Sequence, residues 1–277
     1  MARGTRLARW QAARCTGRGA ISLSPRAHSA ALLVILAVCA WPLAAHAAAD
    51  CPQPFKVTFA VEWHGMSAGT SILELVRQGP DEWTYKSSNT ARGLFRLALP
   101  DTITQVSHFK IEDSTVLPLT YVGDDGSSDT RRDVSLRFDW DAKRVTGTAE
   151  NSPVDQPITP GVQDSLSVQV ALMCALARGD VPASFRLIDK DEVKEYQYTR
   201  EGEAKLDTAV GKLDTVIYRS QKAGSSRYTR LWIAPSLGYL PVRAEQAKRD
   251  KRELQLTIRA VTPPQGAAVP TASSASH

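Results

Sequence analysis

The chain has 277 residues, 34 basic and 29 acidic side chains, a net charge of +5 and a 43% share of hydrophobic residues. The basic excess is local: residues 1–49 carry Arg3, Arg6, Arg9, Arg14, Arg18 and Arg26 and no acid. Without those six arginines, 28 basic residues face 29 acidic ones, a net charge of −1, which removes the basic footprint that nucleic-acid binding requires.

Ala30 to Leu43 is an apolar run, and Ala45-His46-Ala47 fits the small-x-small pattern of a cleavage site. Residues 1–49 are therefore expected to be a secretory signal peptide, which directs the rest to the periplasm. The other reading of Ala30 to Ala49 is an uncleaved anchor helix, nearly long enough to span a bilayer. A mitochondrial transit peptide would be amphipathic rather than solidly apolar, and no adjacent arginines mark a twin-arginine signal. Cys15 and Cys39 leave with the signal, so Cys51 and Cys174 remain as an even pair in an oxidising compartment. A disulfide between them would tie the start of the domain to its helix. The alternative is two separate thiols, with Cys174 a small core hydrophobe. Asp50, directly before Cys51, argues against a lipid-modified cysteine.

Residues 50–262 read as one β-rich domain. Phe55, Val57, Phe59, Val61 and Trp63 alternate with more polar neighbours, the period of a half-buried strand. Gly65 and Gly69 bracket a turn or bulge, a second strand runs from Ile72 to Arg77, and Gln78 to Asp81 turns into a third that opens with Trp83 and Tyr85. Arg92 to Asp101 breaks the alternation. It reads as a core-covering loop or short helix, or as an apolar lip beside a ligand groove. Strands resume at Thr102–Ile111, Val116–Val122, Val134–Trp140 and Arg144–Ala149, and three prolines mark Asn151 to Pro160 as a connecting loop. Asp124, Asp125 and Asp129 lack the alternation of a calcium loop, so no metal site is expected.

Gly161 to Gly179 is the one convincing helix. Leu166, Val170, Met173 and Ala177 recur at helical spacing, Asp164 or a residue just before it can cap its start, and Gly179 can take the left-handed turn that stops it. Further strands follow at Phe185–Ile188, Glu195–Arg200, Ala204–Thr208, Leu213–Arg219, Arg227–Ala234, Leu240–Gln246 and Glu253–Val261. Residues 263–277 form a Pro/Ala/Ser tail with the composition of a disordered segment. About a dozen short strands and one helix predict a mainly β fold, a curled antiparallel sheet forming a barrel or half-barrel with the helix packed on or in it.

Catalytic signals are absent. His64 and His108 stand apart, Ser165 and Ser167 sit where capping explains them, and Glu62 with Glu74 could face each other across a hairpin. No catalytic residue, metal or cofactor is assigned. The ligand-binding candidates are Arg92, Leu94, Phe95, Arg96 and Met173: the apolar segment Leu94, Phe95, Leu97 and Leu99 is placed as a lid over an apolar cavity near Met173, with Arg92 or Arg96 meeting an anionic head group.

Three stretches carry a resemblance: Leu99 to Gln105, Gly161 to Ser167, and Trp232-Ile233-Ala234 running to Tyr239 through Gln246. Together with the opening strand they resemble the exported bacterial proteins grouped as domain of unknown function 3108, over about residues 55–261. The resemblance implies a periplasmic, β-rich protein and brings no established reaction. The functional expectation is a non-catalytic periplasmic protein that binds an apolar or lipid-like ligand. The alternatives are a structural or interaction protein of the envelope that meets envelope proteins, and a hydrolase with an unrecognised site. No nucleic-acid partner is expected, and membrane contact only through an uncleaved signal.

Overall fold

Alternation decides which side chains face inward, and it does so strand after strand. In β1 (Phe55–Trp63) the odd-numbered residues Phe55, Val57 and Phe59 are buried. The same parity buries Ser71, Leu73 and Leu75 in β2 (Met66–Arg77), and Trp83, Tyr85 and Ser87 in β3 (Glu82–Ala91). The computed structural model of the protein describes residues 51, 53–99, 101–127 and 129–262. The expected signal peptide at 1–49 and the tail at 263–277 lie outside the described residues.

The chain continues through α1 (Phe95–Ala98), β4 (Ile103–Glu112), β5 (Thr115–Asp124), β6 (Val134–Asp139), β7 (Arg144–Ala149) and β8 (Ser152–Pro157). It then enters the short β9 (Val162–Gln163) and α2 (Ser167–Ala177). The second half adds β10 (Ser184–Asp189), β11 (Glu192–Thr208), β12 (Gly211–Lys222), β13 (Arg227–Ala234), β14 (Leu240–Lys248) and β15 (Lys251–Thr262). These strands form one sheet in the order β8-β7-β6-β5-β4-β3-β2-β1-β15-β14-β13-β12-β11-β10-β9. It is two meanders joined where β1 pairs antiparallel with β15, and it is a curled, open sheet rather than a closed barrel. Among the described residues, the β9–β10 pair alone is parallel.

The free edges are β8 and β9, and both are protected. β8 contains Pro153 and Pro157, which cannot donate to a further strand and are tolerated at an edge. The prolines that suggested a loop therefore mark an edge strand. At the other edge β9 turns into the interior, where Gln163 Nε2 donates to the Val116 carbonyl of β5 at 2.8 Å. Two strands expected at Glu195–Arg200 and Ala204–Thr208 are one, β11. The alternation slips at Gly202, a β-bulge with φ 142°, without the chain turning back.

Helix α2 is shorter than its apolar pattern and buried nearly all round. Leu172 and Leu176 pack with Tyr218 and Ile233 of β12 and β13, while Leu166, Val170 and Met173 join the main core. The amphipathic face expected from the sequence is thus a helix without a polar side, as a helix enclosed by a sheet must be. Its C-terminus closes as expected: Gly179 takes φ 82°, and Asp180 N–H donates to the Ala175 carbonyl at 2.9 Å. Cys174 on this helix is joined to Cys51, with Cα atoms 5.2 Å apart.

The helix start is held by a buried acid. Asp164 Oδ1 accepts the backbone N–H of Leu166 and of Ser167, both at 2.8 Å, and the Ser167 hydroxyl accepts the Asp164 N–H at 3.0 Å. Asp164 Oδ2 accepts from the Ser107 hydroxyl of β4 at 2.6 Å, which ties the helix to the sheet. Burial pushes the Asp164 carboxyl above its ordinary value, against the opposing pull of Ser107 and of the Ser167 and Leu166 N–H groups. The folded chain therefore keeps this proton to higher pH than the unfolded chain, where it is lost near pH ~4. Folding takes up a proton between the two values, so this contribution is largest below the window and fades as pH rises through it. Asp164→Asn keeps the capping oxygen and does not titrate. In thermal melts from pH 4 to pH 8, the variant's melting temperature relative to the parent should climb with pH; parallel curves would contradict the raised value.

Candidate functional site

On the inner face of the first meander, between the sheet and the break at Arg92 to Asp101, lies a cavity of about 560 Å³. The strands make it because their inward residues shrink toward one end. Along β3 the inner row runs from Trp83 and Tyr85 to Ser87, Asn89 and Ala91, and along β2 from Leu75 and Leu73 to Ser71 and Gly69. The large side chains fill the core and the small ones leave a space. Gly69 is required for close packing here, since a Cβ would stand 2.2 Å from the Thr90 carbonyl oxygen. Val61 and Trp63 of β1, Leu254 and Leu256 of β15, and Phe95 and Leu99 of the break complete the apolar wall. Helix α2 contributes Gln169.

Among the described residues, no ionisable side chain lines this cavity. Its polar groups are hydroxyls and carboxamides. The Tyr85 hydroxyl donates to Gln169 Oε1 at 2.8 Å, and burial drives that phenol far above the usual tyrosine value. Asn89 Nδ2 donates to the Ser87 hydroxyl at 3.0 Å. Trp63 of the lining is 40% exposed, and Met66, which pairs with it across the β1–β2 hairpin, and Leu94 and Leu97, in the same break as Phe95, are 58%, 83% and 85% exposed. Arg92 anchors the break to this rim, its backbone N–H donating to the Ala68 carbonyl at 2.8 Å.

Of the lid segment expected from the sequence, Phe95 and Leu99 line the cavity, and of the ligand-binding candidates Arg92, Leu94, Phe95, Arg96 and Met173, Phe95 does so. Arg92, Leu94 and Arg96 are exposed outside its lining, because the single helical turn of α1 turns one side chain inward and leaves its neighbours in solvent. Met173 is 3% exposed and belongs to the core; the helix faces the cavity one turn earlier, at Gln169. Sequence reasoning missed Gln169, Asn89 and Gln105. The signal was available: Gln169 interrupts an apolar helix, and Ser71, Ser87, Asn89 and Gln105 sit at inward positions of their strands.

A larger hollow of about 830 Å³ lies where β1 begins, lined by Cys51, Phe55 and Trp83 but also by Lys56, Glu74, Arg77 and Asp81. Lys56 pairs with Glu74 at 3.5 Å, and Arg77 Nε donates to the Gly79 carbonyl at 3.0 Å while its guanidinium stands over Trp83. The apolar cavity is the better ligand site because its lining offers transfer free energy without desolvating charge.

The remaining chemical candidates are dispersed. Glu62 is opposite Ser67 and Glu74 opposite Lys56, so the two carboxylates sit six residues apart along β1, about 20 Å. His108 Nδ1 shares a hydrogen bond with Thr84 Oγ1 at 2.9 Å, and His64 stacks edge-on against Trp63. Ser165 donates to the Tyr121 hydroxyl. Asp124, Asp125 and Asp133, rather than Asp129, bring carboxylate oxygens within 4.8 Å of one another. Asp124 and Asp125 accept N–H groups of Gly126 and Ser127, and Asp125 pairs with Arg132, so they act as turn closers. Asp129 instead pairs with Arg131, which holds its carboxyl down at about 2.

A family model described as a protein of unknown function (DUF3108) matches residues 55–251. Among solved structures, a β-barrel-like protein of the domain of unknown function DUF1849 from Brucella abortus is similar. It has a TM-score of 0.51 and 9% identity, over 77% of this chain and 98% of that one. An exported protein with a YmcC-like fold from Bacteroides fragilis aligns at a TM-score of 0.33 and 12% identity, over 76% of this chain and 97% of that one. The Brucella likeness establishes a shared β-barrel-like fold. Comparison with curated proteins gives no match.

Proposed function

We propose, for a chain that belongs to the DUF3108 family of proteins of unknown function, a non-catalytic periplasmic role: holding an apolar, lipid-like ligand in the 560 Å³ cavity. The observation that carries this reading is the lining. A space of that size falls in the range of ~300–1,000 Å³ typical of ligand sites, and no charge stands in it to oppose an apolar guest. The exposed Trp63 of the lining, with the exposed Met66, Leu94 and Leu97 on the adjoining β2 strand and break, offers an apolar path for a tail to enter. Export is supported by the signal-like segment at 1–49 and by the Cys51–Cys174 bridge, which suits an oxidising compartment.

The test is direct. Protein purified from the periplasm is delipidated and titrated with N-phenyl-1-naphthylamine, a fluorescent apolar probe. Saturable uptake of one probe per chain is expected. Ala91→Trp fills the space from the rim and should weaken uptake at least tenfold while shifting the melting temperature by only a few degrees. A variant that takes up the probe as the parent does would remove the cavity from consideration.

A further inference from the structure

The cavity is not uniformly apolar. A polar stripe crosses the inner face of β2, β3 and β4, where the register sets Ser71 opposite Asn89 and Ser87 opposite Gln105. Gln169 of α2 stands beside it, hydrogen-bonded to Tyr85, which precedes Ser87 by one inward position. Every group in the stripe is uncharged, and each is arranged to present something. Tyr85 occupies Gln169 Oε1, so this carboxamide offers its NH₂ as a donor. Asn89 engages the Ser87 hydroxyl through Nδ2 and offers Oδ1 as an acceptor. Gln105 lines the cavity and makes no side-chain hydrogen bond among the described residues. The Ser71 hydroxyl is buried, with no hydrogen-bond partner among the described residues.

These groups are a liability in a cavity for plain hydrocarbon. Buried polar atoms without partners destabilise a fold, and leucine or valine at the same positions would serve a hydrocarbon better. They become favourable when a guest supplies the missing partners. Donors and acceptors are both on offer, so the guest needs both. A carboxylate or phosphate finds no cation in the lining, and a charge buried without a counter-charge is strongly disfavoured.

Resting on the cavity reading above, we infer that the ligand is an uncharged amphiphile: a hydrocarbon tail carrying a neutral hydrogen-bonding group, such as a hydroxyl, ester or amide, seated on the stripe of Ser71, Asn89, Gln105 and Gln169. The tail lies along Val61, Leu254, Leu256 and Phe95 toward the mouth. Arg92 and Arg96 stay outside this contact, and the neutral group, not an anionic head, gives the cavity its selectivity.

Three competitors with the same twelve-carbon tail test the inference by displacing N-phenyl-1-naphthylamine at pH 8: 1-monolauroylglycerol, laurate and dodecyl phosphate. The glycerol ester should bind at least tenfold more tightly than either anion. Gln105→Leu and Ser71→Ala break no protein hydrogen bond, so both should fold as the parent does. Each should reduce ester affinity about tenfold while changing laurate affinity less than twofold. Laurate or dodecyl phosphate binding as well as the ester would overturn the inference, and so would variants that leave the ester's advantage intact. If the probe binds and none of the three displaces it, the inference fails alone. If the probe itself does not bind, the cavity reading fails with it.

Discussion

Val170→Asp leaves the protein without a stable fold at 25 °C. Val170 is fully buried at the middle of α2, in the same core as Phe55, Val57, Tyr85 and Phe109. The substitution removes a branched hydrocarbon and introduces a carboxylate into a space that the sheet closes off from water. Losing the valine's burial costs about 1.5–3 kcal/mol, and the unpaired charge, or the proton taken up to avoid it, adds several more. The sum is comparable to the ~5–15 kcal/mol that holds a typical domain together. Circular dichroism of the purified variant should show loss of the cooperative thermal transition. Ala177→Asp places the same side chain on the exposed last residue of the helix and serves as the control, with a shift within about 1 kcal/mol. A variant at 170 that melts within a few degrees of the parent would mean that the helix is not enclosed.

Removing the disulfide gives the second-largest effect. Cys51 and Cys174 are 123 residues apart, so the bridge closes a loop that includes the whole first meander. On the chain-entropy account a loop of that size stabilises by about 5 kcal/mol, chiefly by restricting the unfolded chain. At roughly 2–4 °C per kcal/mol for a domain of this size, Cys51→Ala combined with Cys174→Ala should lower the melting temperature by about 10–20 °C. Reducing agent should do the same to the parent and nothing to the double variant. An identical melting temperature with and without reductant would refute the contribution. The bridge also pins the chain just before β1 to the helix, so its loss should be felt first at the start of the sheet.

The two effects share an origin. Helix α2 and the residues just ahead of it bridge the two halves of the sheet: Leu172 and Leu176 meet Tyr218 and Ile233 in the second meander, and Asp164 is bonded to Ser107 in the first. A sheet whose ends do not pair needs such a filler, because its inner face would otherwise be exposed to water. The same arrangement creates the cavity. Where α2 ends its contact at Gln169, the sheet continues, and the small residues of β2 and β3 are left uncovered except by the break that follows β3.

The sequence by itself determined most of the strands, their inward faces, the helix with its capping acid and stopping glycine, and the family, because each rests on local chemistry. A period of two, a carboxylate three residues before a helical N–H and a glycine at positive φ are all written within a few positions of one another. Only the tertiary structure decided which residues line the site. Phe95 and Arg96 are neighbours in the chain, yet one lines the cavity and the other faces solvent. Gln169 lies far along the chain from Asn89 and Gln105 and stands beside them in space because β9 turns inward and carries α2 under the sheet. The open edge at β8, the Gly202 bulge that joins two expected strands into one, and the separation of Glu62 from Glu74 were likewise settled by register. Register is a property of paired strands, and a sequence read along one chain specifies each strand's faces but not which strand lies beside it.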